Sequence, residues 1–281
     1  MAIAIEKATD ARLPLHYRFT RYLRSHFIPA IGILGLIYLF LPIAVVFAFS
    51  FNDRLPNGRG SVSWVGFSTD AWTNICVDPN ICRAVGTSLQ IGVLATLAGT
   101  LLGTMIAFAL VRHRFRGRQS TNLTIFLPMA TPEIVLGASL LSLFLVFKIN
   151  PGFWPTVIAH VMFCISFVVV TVKARIASLD PRLEQAAMDL YANEFQTFRR
   201  VTLPLVAPGI AGAALLAFSL SFDDFIITNF NSGTVITFPK FVYTAAARGI
   251  PAQANVIGSG MFFLALAIVI AGQILNRRKA R

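Results

Sequence analysis

Long apolar runs separated by shorter polar stretches dominate the chain. Six runs are present, at about 27–51, 85–111, 122–148, 153–172, 205–230 and 254–275. An α-helix rises 1.5 Å per residue, so about 20 apolar residues cross a hydrocarbon core roughly 30 Å thick. The pattern therefore predicts an all-α, polytopic membrane protein whose six transmembrane helices form one domain over residues 27–275.

A polar, basic segment, residues 1–26, precedes the first run and raises the alternative of a cleaved signal peptide. The apolar part of a signal peptide holds only about 7 to 15 residues. The first run is longer than this, and no small-residue cleavage site follows it. We therefore expect an uncleaved first span.

The polar stretch between the fourth and fifth runs, residues 173–204, keeps a helical pattern. Its apolar residues recur near one helix face, at Leu183, Ala186, Ala187, Leu190 and Phe198. This spacing predicts one short amphipathic helix that begins near Pro181 and ends at Pro204. Its apolar face is expected to pack against a partner.

Composition and charge agree with a membrane protein. The chain is 56% hydrophobic and 13% charged, whereas a soluble domain carries about 25% charged residues. The formal net charge of +12 would indicate nucleic acid in a soluble protein. In a membrane protein, basic loops on the cytoplasmic side account for such a charge, so we expect no nucleic-acid partner.

The distribution of basic residues predicts the orientation. One side has 18 of them, in residues 1–26, 112–118, 173–204 and the tail 276–281, while the other side has 5. Because the basic side faces the cytoplasm, we expect both termini and the amphipathic stretch to be cytoplasmic.

Motifs of soluble enzymes do not occur in the sequence. No lysine is followed by Ser or Thr as in a Walker A loop, and the four histidines lack the spacing of a metal site. We therefore expect neither catalysis nor a bound cofactor or metal in this chain, so any ATP hydrolysis requires another subunit.

Two cysteines, Cys76 and Cys82, lie in the polar loop after the first run. They are expected to form a disulfide if this loop is extracytoplasmic, and to stay reduced if it is cytoplasmic. Cys164 lies inside the fourth run, where packing is its expected role.

Three carboxylates, Glu133, Asp223 and Asp224, lie inside the apolar runs, whereas lysine and arginine are confined to their ends. A charge at mid-bilayer costs about 2.5–3.5 kcal/mol on insertion scales, so these acids should face a cavity or a partner. Glu133 lies roughly 16 Å from the cytoplasmic end of its run, and the two aspartates lie roughly 28 Å from theirs. The sequence thus predicts acids at two depths of a pathway.

Polar residues accompany the aspartates. If the fifth span is one continuous helix, Ser221, Asp224 and Thr228 share a face. These residues are candidates for a solute pathway, but the carboxylates have an alternative role as helix caps or as partners of basic residues in a second subunit. His160, alone in the fourth span, is expected to be a hydrogen-bonded packing residue.

The stretch QAAMDLYANEFQTFRRVTLP, from Gln185 to Pro204, resembles the EAA loop of ABC importer permeases. That pattern reads roughly E-A-A, three residues, G, nine residues, I-x-L-P. Gln185 replaces its Glu, and Tyr191 replaces a Gly suited to a positive φ, which a tyrosine disfavours. In the family this loop docks in a groove of the ATPase subunit. The resemblance assigns coupling to Glu184, Gln185, Ala186, Ala187, Asp189, Leu190, Tyr191, Leu203 and Pro204.

Three further segments resemble the spermidine/putrescine (PotC-like) subfamily of these permeases. They are FSLSFDDFIITNFNSG, LPMATPEIVLGASLL and LEQAAMDLYA. The resemblance implies a type I ABC importer permease in a bacterial inner membrane, forming half of a pathway for a polyamine or another small solute. It also implies a second homologous permease, an ATPase dimer that binds ATP and Mg, and an extracytoplasmic substrate-binding protein.

Two other classes remain as alternatives. A proton-coupled secondary transporter would use the intramembrane acids as proton sites, but the inverted repeat typical of such transporters is not visible. A membrane-embedded enzyme would need a cluster of reactive residues at one depth, and only Asp223 and Asp224 meet that condition.

Overall fold

The computed structural model describes residues 15–53, 63–247 and 249–279. In chain order the helices are α1 (Leu15–Phe49), α2 (Asp70–Thr73), α3 (Pro79–Arg112), α4 (Arg118–Ala130), α5 (Glu133–Val146), α6 (Phe153–Ala177), α7 (Arg182–Asp189), α8 (Glu194–Thr197), α9 (Leu203–Asp223), α10 (Ile226–Asn231), α11 (Phe238–Ala246) and α12 (Ala252–Lys279). A π-helical turn, Phe198–Thr202, connects α8 to α9. Over the described ranges the chain forms no strand beyond a single bridge between Asn52 and Phe67, so the predicted all-α class is confirmed.

The chain divides into two compact units, which we describe separately. The first comprises Met1–Ile75 and Gly249–Arg281 and contains α1, α2 and α12. Within it α1 packs on α12 through edge-to-face aromatic pairs, of which Phe47 and Phe263 have ring centroids 5.3 Å apart. Of the predicted cytoplasmic ends, residues 1–14 and 280–281 lie outside the described residues.

The second unit, Cys76–Arg248, is built around α3, α6 and α9. Small residues let these helices approach closely. A Cβ atom at Gly103 of α3 would lie 2.6 Å from Cγ1 of Val168 on α6. Only glycine therefore permits this separation of the two backbones.

The third apolar run is not a straight helix. Its two helices, α4 and α5, are bent by 108° at Thr131 and Pro132, where Pro132 lacks the N–H that would continue the helix. By length and composition, five described helices can cross a membrane, or six if the bent pair counts as one span. The predicted number of spans is reached only with that pair.

The fifth run breaks as well. The helix α9 ends at Asp223 and α10 begins at Ile226, so Asp224 and Phe225 are not helical. The prediction of one continuous helix through residues 205–230 is therefore wrong. In the loop that follows, the chain forms the short helix α11.

The amphipathic stretch also differs from the prediction of a single helix ending at Pro204. The helix α7 ends at Asp189, and α8 begins at Glu194. Pro204 lies in the first turn of α9, directly after the π-helical turn that joins α9 to α8. It therefore does not end a helix, and the helical chain continues through it into the fifth apolar run.

Candidate translocation and coupling sites

The break between α9 and α10 is organised by the buried carboxylate of Asp224. Its Oδ2 accepts a hydrogen bond from the backbone N–H of Thr228 at 2.8 Å, and Oδ1 accepts one from Ile227 at 3.3 Å. These are the second and third amides of α10, which have no partner within the helix. Asp224 thus caps a helix, which is the structural alternative that the sequence left open for the aspartates.

His160 of α6 contacts the same break. Its Nδ1 lies 2.7 Å from Oγ of Ser221, and its Nε2 lies 2.9 Å from Oγ1 of Thr228 and 3.4 Å from Oδ2 of Asp224. All four side chains are buried, and the histidine is only 1% exposed. The predicted group of Ser221, Asp224 and Thr228 therefore does come together, but around a histidine and not along one helix face.

Asp223 has the opposite environment, because it is exposed although its neighbour is buried. Its charge interacts with those of Asp224 and Glu133. Glu133 is also exposed, at the first position of α5. The exposed acids of the two broken runs therefore interact electrostatically.

Packing between α5 and α10 brings these acids together. The side-chain amide of Asn231 donates to the carbonyl oxygen of Gly137 at 3.3 Å. A Cβ atom at Gly137 would lie 2.9 Å from the ring of Phe230. The close contact at Gly137 holds the start of α5 beside α10 and hence beside the end of α9.

An aromatic pair adjoins the acids. The rings of Phe225 and Tyr243 stack with centroids 4.2 Å apart and planes at 26°, and Tyr243 is 64% exposed. The helix α11 that carries Tyr243 is fixed where the backbone N–H of Phe238 donates to Oγ of Ser88 at 2.9 Å. Sequence reasoning missed Tyr243, because its place beside Phe225 depends on a contact between separate helices.

The turn after α7 presents Tyr191 to solvent. Its φ of 63° lies in the left-handed region, and the residue is 99% exposed. The tight turn for which the EAA pattern has Gly is thus present with a tyrosine in that position. Of the other predicted coupling residues, Ala187 and Leu203 are half-buried, and the exposed ones are Gln185, Ala186, Asp189, Leu190 and Pro204.

Glu184 connects α7 to two other elements. Its carboxylate pairs with the guanidinium of Arg112 at the end of α3. It also accepts a hydrogen bond from Oγ1 of Thr202 at 2.6 Å, in the turn before α9. An open cavity of about 730 Å³ lies between these elements, with Phe108 and Met188 in its wall. The amphipathic stretch is thereby attached to two of the three central helices.

Cys76 and Cys82 form a disulfide at the start of α3, with Cα atoms 5.6 Å apart. Asp78, between them, caps this helix by accepting a hydrogen bond from the backbone N–H of Asn80 at 2.9 Å. The covalent link and the cap both fix the first turn of α3.

Long apolar helices around buried polar residues, with an exposed amphipathic segment beside them, are typical of a membrane transport subunit. The model of the family described as binding-protein-dependent transport system inner membrane component matches residues 99–279. The chain belongs to this family. It is a permease subunit of an ABC importer and not an enzyme.

Curated relatives extend this similarity over nearly the whole chain. The spermidine/putrescine transport system permease protein PotC of Escherichia coli (strain K12) is 35% identical over 93% of this chain and 96% of its own. The putrescine transport system permease protein PotI of the same strain is 36% identical, over 84% and 85% of the two chains.

Solved structures show the same fold. A bacterial ABC transporter involved in the import of the acidic polysaccharide alginate has a chain that matches with a TM-score of 0.64 and 17% identity, over 93% of this chain and 99% of its own. A chain of the MetNI methionine ABC transporter matches with a TM-score of 0.58 and 16% identity, over 71% of this chain and 97% of its own. Solutes this different show that the fold alone does not set the substrate.

Proposed function

We propose that this permease forms half of an import pathway for a polyamine or a closely related linear organic cation. The observation that carries the proposal is the exposure of Asp223 and Glu133 in one neighbourhood, at the breaks of two membrane helices. No basic residue lies in the predicted spans apart from Lys148 at an end. A pathway with exposed acids and no bases favours cations.

The names of the relatives support the same solute class, since they describe spermidine/putrescine and putrescine permeases. A linear polyamine carries ammonium groups separated by methylene chains. Asp223 and Glu133 attract the ammonium groups, and the stacked ring of Tyr243 offers a cation–π surface beside them. Ser221, Asp224 and Thr228 form the buried wall behind Asp223 and hold its position.

Transport requires partners that this chain does not contain. The complete importer has a second homologous permease, a dimer of ATPase subunits that binds ATP and Mg, and an extracytoplasmic binding protein. One matching solved structure is of a bacterial alginate ABC transporter in complex with a periplasmic protein. The exposed stretch around Tyr191 docks on the ATPase, so it and both termini are cytoplasmic.

The coupling route follows from the contacts of Glu184. Closure of the ATPase dimer moves the docked α7, and Glu184 transmits this movement to α3 through Arg112 and to α9 through Thr202. Because Asp223 ends α9, the acids at its far end change position with the coupling segment. Alternating access then exposes the acids to each side of the membrane in turn.

Uptake by the complete transporter tests the solute assignment. We expect Asp223→Asn to lower the uptake of labelled putrescine or spermidine at least tenfold, and Asp223→Glu to retain more activity. Asp78→Asn is the matched control, because it removes the same charge while Asn caps a helix about as well as Asp. Normal polyamine uptake by Asp223→Asn would refute the pathway role of this acid. Uptake abolished by proton-gradient collapse but insensitive to an inactive ATPase would instead indicate a secondary transporter.

A further inference from the structure

We infer that His160 is a positioning residue of the transport pathway: it holds the α9–α10 break so that Asp223, and not Asp224, faces the solute. This inference rests on the proposed function, since it concerns the same acidic site. It extends that proposal to a side chain that does not itself contact the pathway.

The hydrogen-bond network around His160 connects the two sides of the break. Ser221 lies in the last turn of α9 and Thr228 in the first turn of α10. The two nitrogens of one imidazole bond to these two hydroxyl groups, at 2.7 Å and 2.9 Å. A single buried ring on α6 thus links two hydroxyl groups that lie seven positions apart, on either side of the break.

The network also defines the hydrogen positions. Oγ1 of Thr228 donates to the backbone carbonyl oxygen of Asp224 at 3.2 Å, so it accepts from Nε2–H of the imidazole. With that hydrogen on Nε2, Nδ1 is the atom that accepts from Oγ–H of Ser221. Every polar atom of the two hydroxyls and the ring is satisfied, as is required of a buried polar group.

This network determines which of the two neighbouring aspartates is buried and which is exposed. Asp224 turns inward, where two amides of α10 and Nε2 of His160 surround it, and Asp223 is consequently exposed. The sequence itself does not distinguish the two acids, because both are aspartates at adjacent positions. If His160 is lost, Ser221 and Thr228 lose their shared partner and the orientation of the aspartate pair is no longer fixed.

Cys164, one turn further along α6, allows the packing of α6 on α9 to be tested separately from the network of His160. Its Sγ donates to the carbonyl oxygen of Ala217 on α9 at 3.4 Å, and the residue is fully buried. This hydrogen bond joins the same two helices and involves neither α10 nor the imidazole. Cys164→Ala is therefore a matched control that disturbs the packing of α6 on α9 and leaves the network intact.

The test measures the half-saturation concentration and the maximal rate of polyamine uptake by the complete transporter. His160→Leu keeps an apolar side chain but removes both hydrogen bonds, and we expect its half-saturation concentration to rise about tenfold. His160→Gln, whose amide can accept from Ser221 and donate to Thr228, should recover most of this loss. Cys164→Ala should leave the half-saturation concentration unchanged.

A double-mutant cycle with Asp223→Asn separates this inference from the proposed function. If His160 acts through Asp223, His160→Leu adds little to the defect of Asp223→Asn. Full additivity of the two defects would overturn the positioning role while the acid keeps its own. A defect of His160→Leu confined to the amount of assembled complex, with an unchanged half-saturation concentration in the assembled fraction, would also overturn it. If Asp223→Asn alone has no effect, it is the proposed pathway that fails.

Discussion

Tyr191 combines two features that rarely occur together, a left-handed backbone and a fully exposed aromatic ring. A residue with a Cβ atom in this conformation is strained by about 1–2 kcal/mol. The ring gains nothing within its own chain that would offset this cost. We therefore predict that its stabilising contacts lie in the docked ATPase subunit.

Two substitutions distinguish the contribution of the aromatic ring from that of the backbone strain. Tyr191→Ala removes the ring but keeps the Cβ atom, so the strain remains. Tyr191→Gly removes both, although the greater freedom of glycine in the unfolded chain returns about 0.5–1 kcal/mol of the relief. For the isolated permease we expect Tyr191→Ala to change stability by no more than about 0.5 kcal/mol, since the side chain is exposed.

Tyr191→Ala should weaken association with the ATPase much more than it changes the stability of the isolated permease. Aromatic residues that anchor an interface contribute about 2 kcal/mol or more when truncated, which is roughly a thirtyfold change in the dissociation constant. Titration of the ATPase subunit onto the permease complex in nanodiscs measures this constant. Tyr38→Ala is the control, because Tyr38 is another exposed tyrosine, which lies on the first membrane helix.

The result that would refute this reasoning is an unchanged dissociation constant for Tyr191→Ala. Tighter binding of Tyr191→Gly than of the native chain would show that the ring is merely tolerated at a turn that prefers glycine. Weaker binding of both variants, with the isolated permease unaffected, is the outcome that the geometry predicts.

Three further predictions concern contacts described above. Glu184→Arg or Arg112→Glu alone puts two like charges together and should uncouple ATP hydrolysis from uptake, whereas the double variant reverses the ion pair and should restore part of the coupling. No recovery in the double variant would mean that the pair does not transmit movement. Tyr243→Leu should raise the half-saturation concentration for a polyamine severalfold, whereas Tyr243→Phe, which keeps the ring face, should not. Cys76 and Cys82 should react with a membrane-impermeant thiol reagent in intact cells only after reduction; labelling that requires opened membranes would reverse the assigned orientation.

Hydropathy alone was sufficient to locate the membrane helices, because burial in lipid requires long apolar segments whatever their partners. It could not locate both breaks. Pro132 marks the first of them directly, since proline removes a helix donor. The second, at Asp224 and Phe225, has neither proline nor glycine and depends on contacts with α5 and with His160.

The candidate site was predicted in part for a reason that the structure does not support. Ser221, Asp224 and Thr228 were grouped because a continuous helix would align them, yet that helix ends at Asp223. They meet because a cap and a histidine from another helix bring them together. Sequence spacing carries no information about such a tertiary contact, and therefore the difference between the buried and the exposed aspartate could not be predicted.

The π-helical turn before α9 has a mechanical consequence. Because it joins α8 to α9 without a gap, Glu194 to Asp223 is one continuous helical segment of 30 residues, about 45 Å long. When such a segment moves as one body, a tilt of about 5° at its Glu194 end displaces the Asp223 end by roughly 4 Å. That distance exceeds the length of a hydrogen bond. Under the proposed docking on the ATPase, a small rotation of the segment is thus enough to make or break the proposed contact between a solute and Asp223.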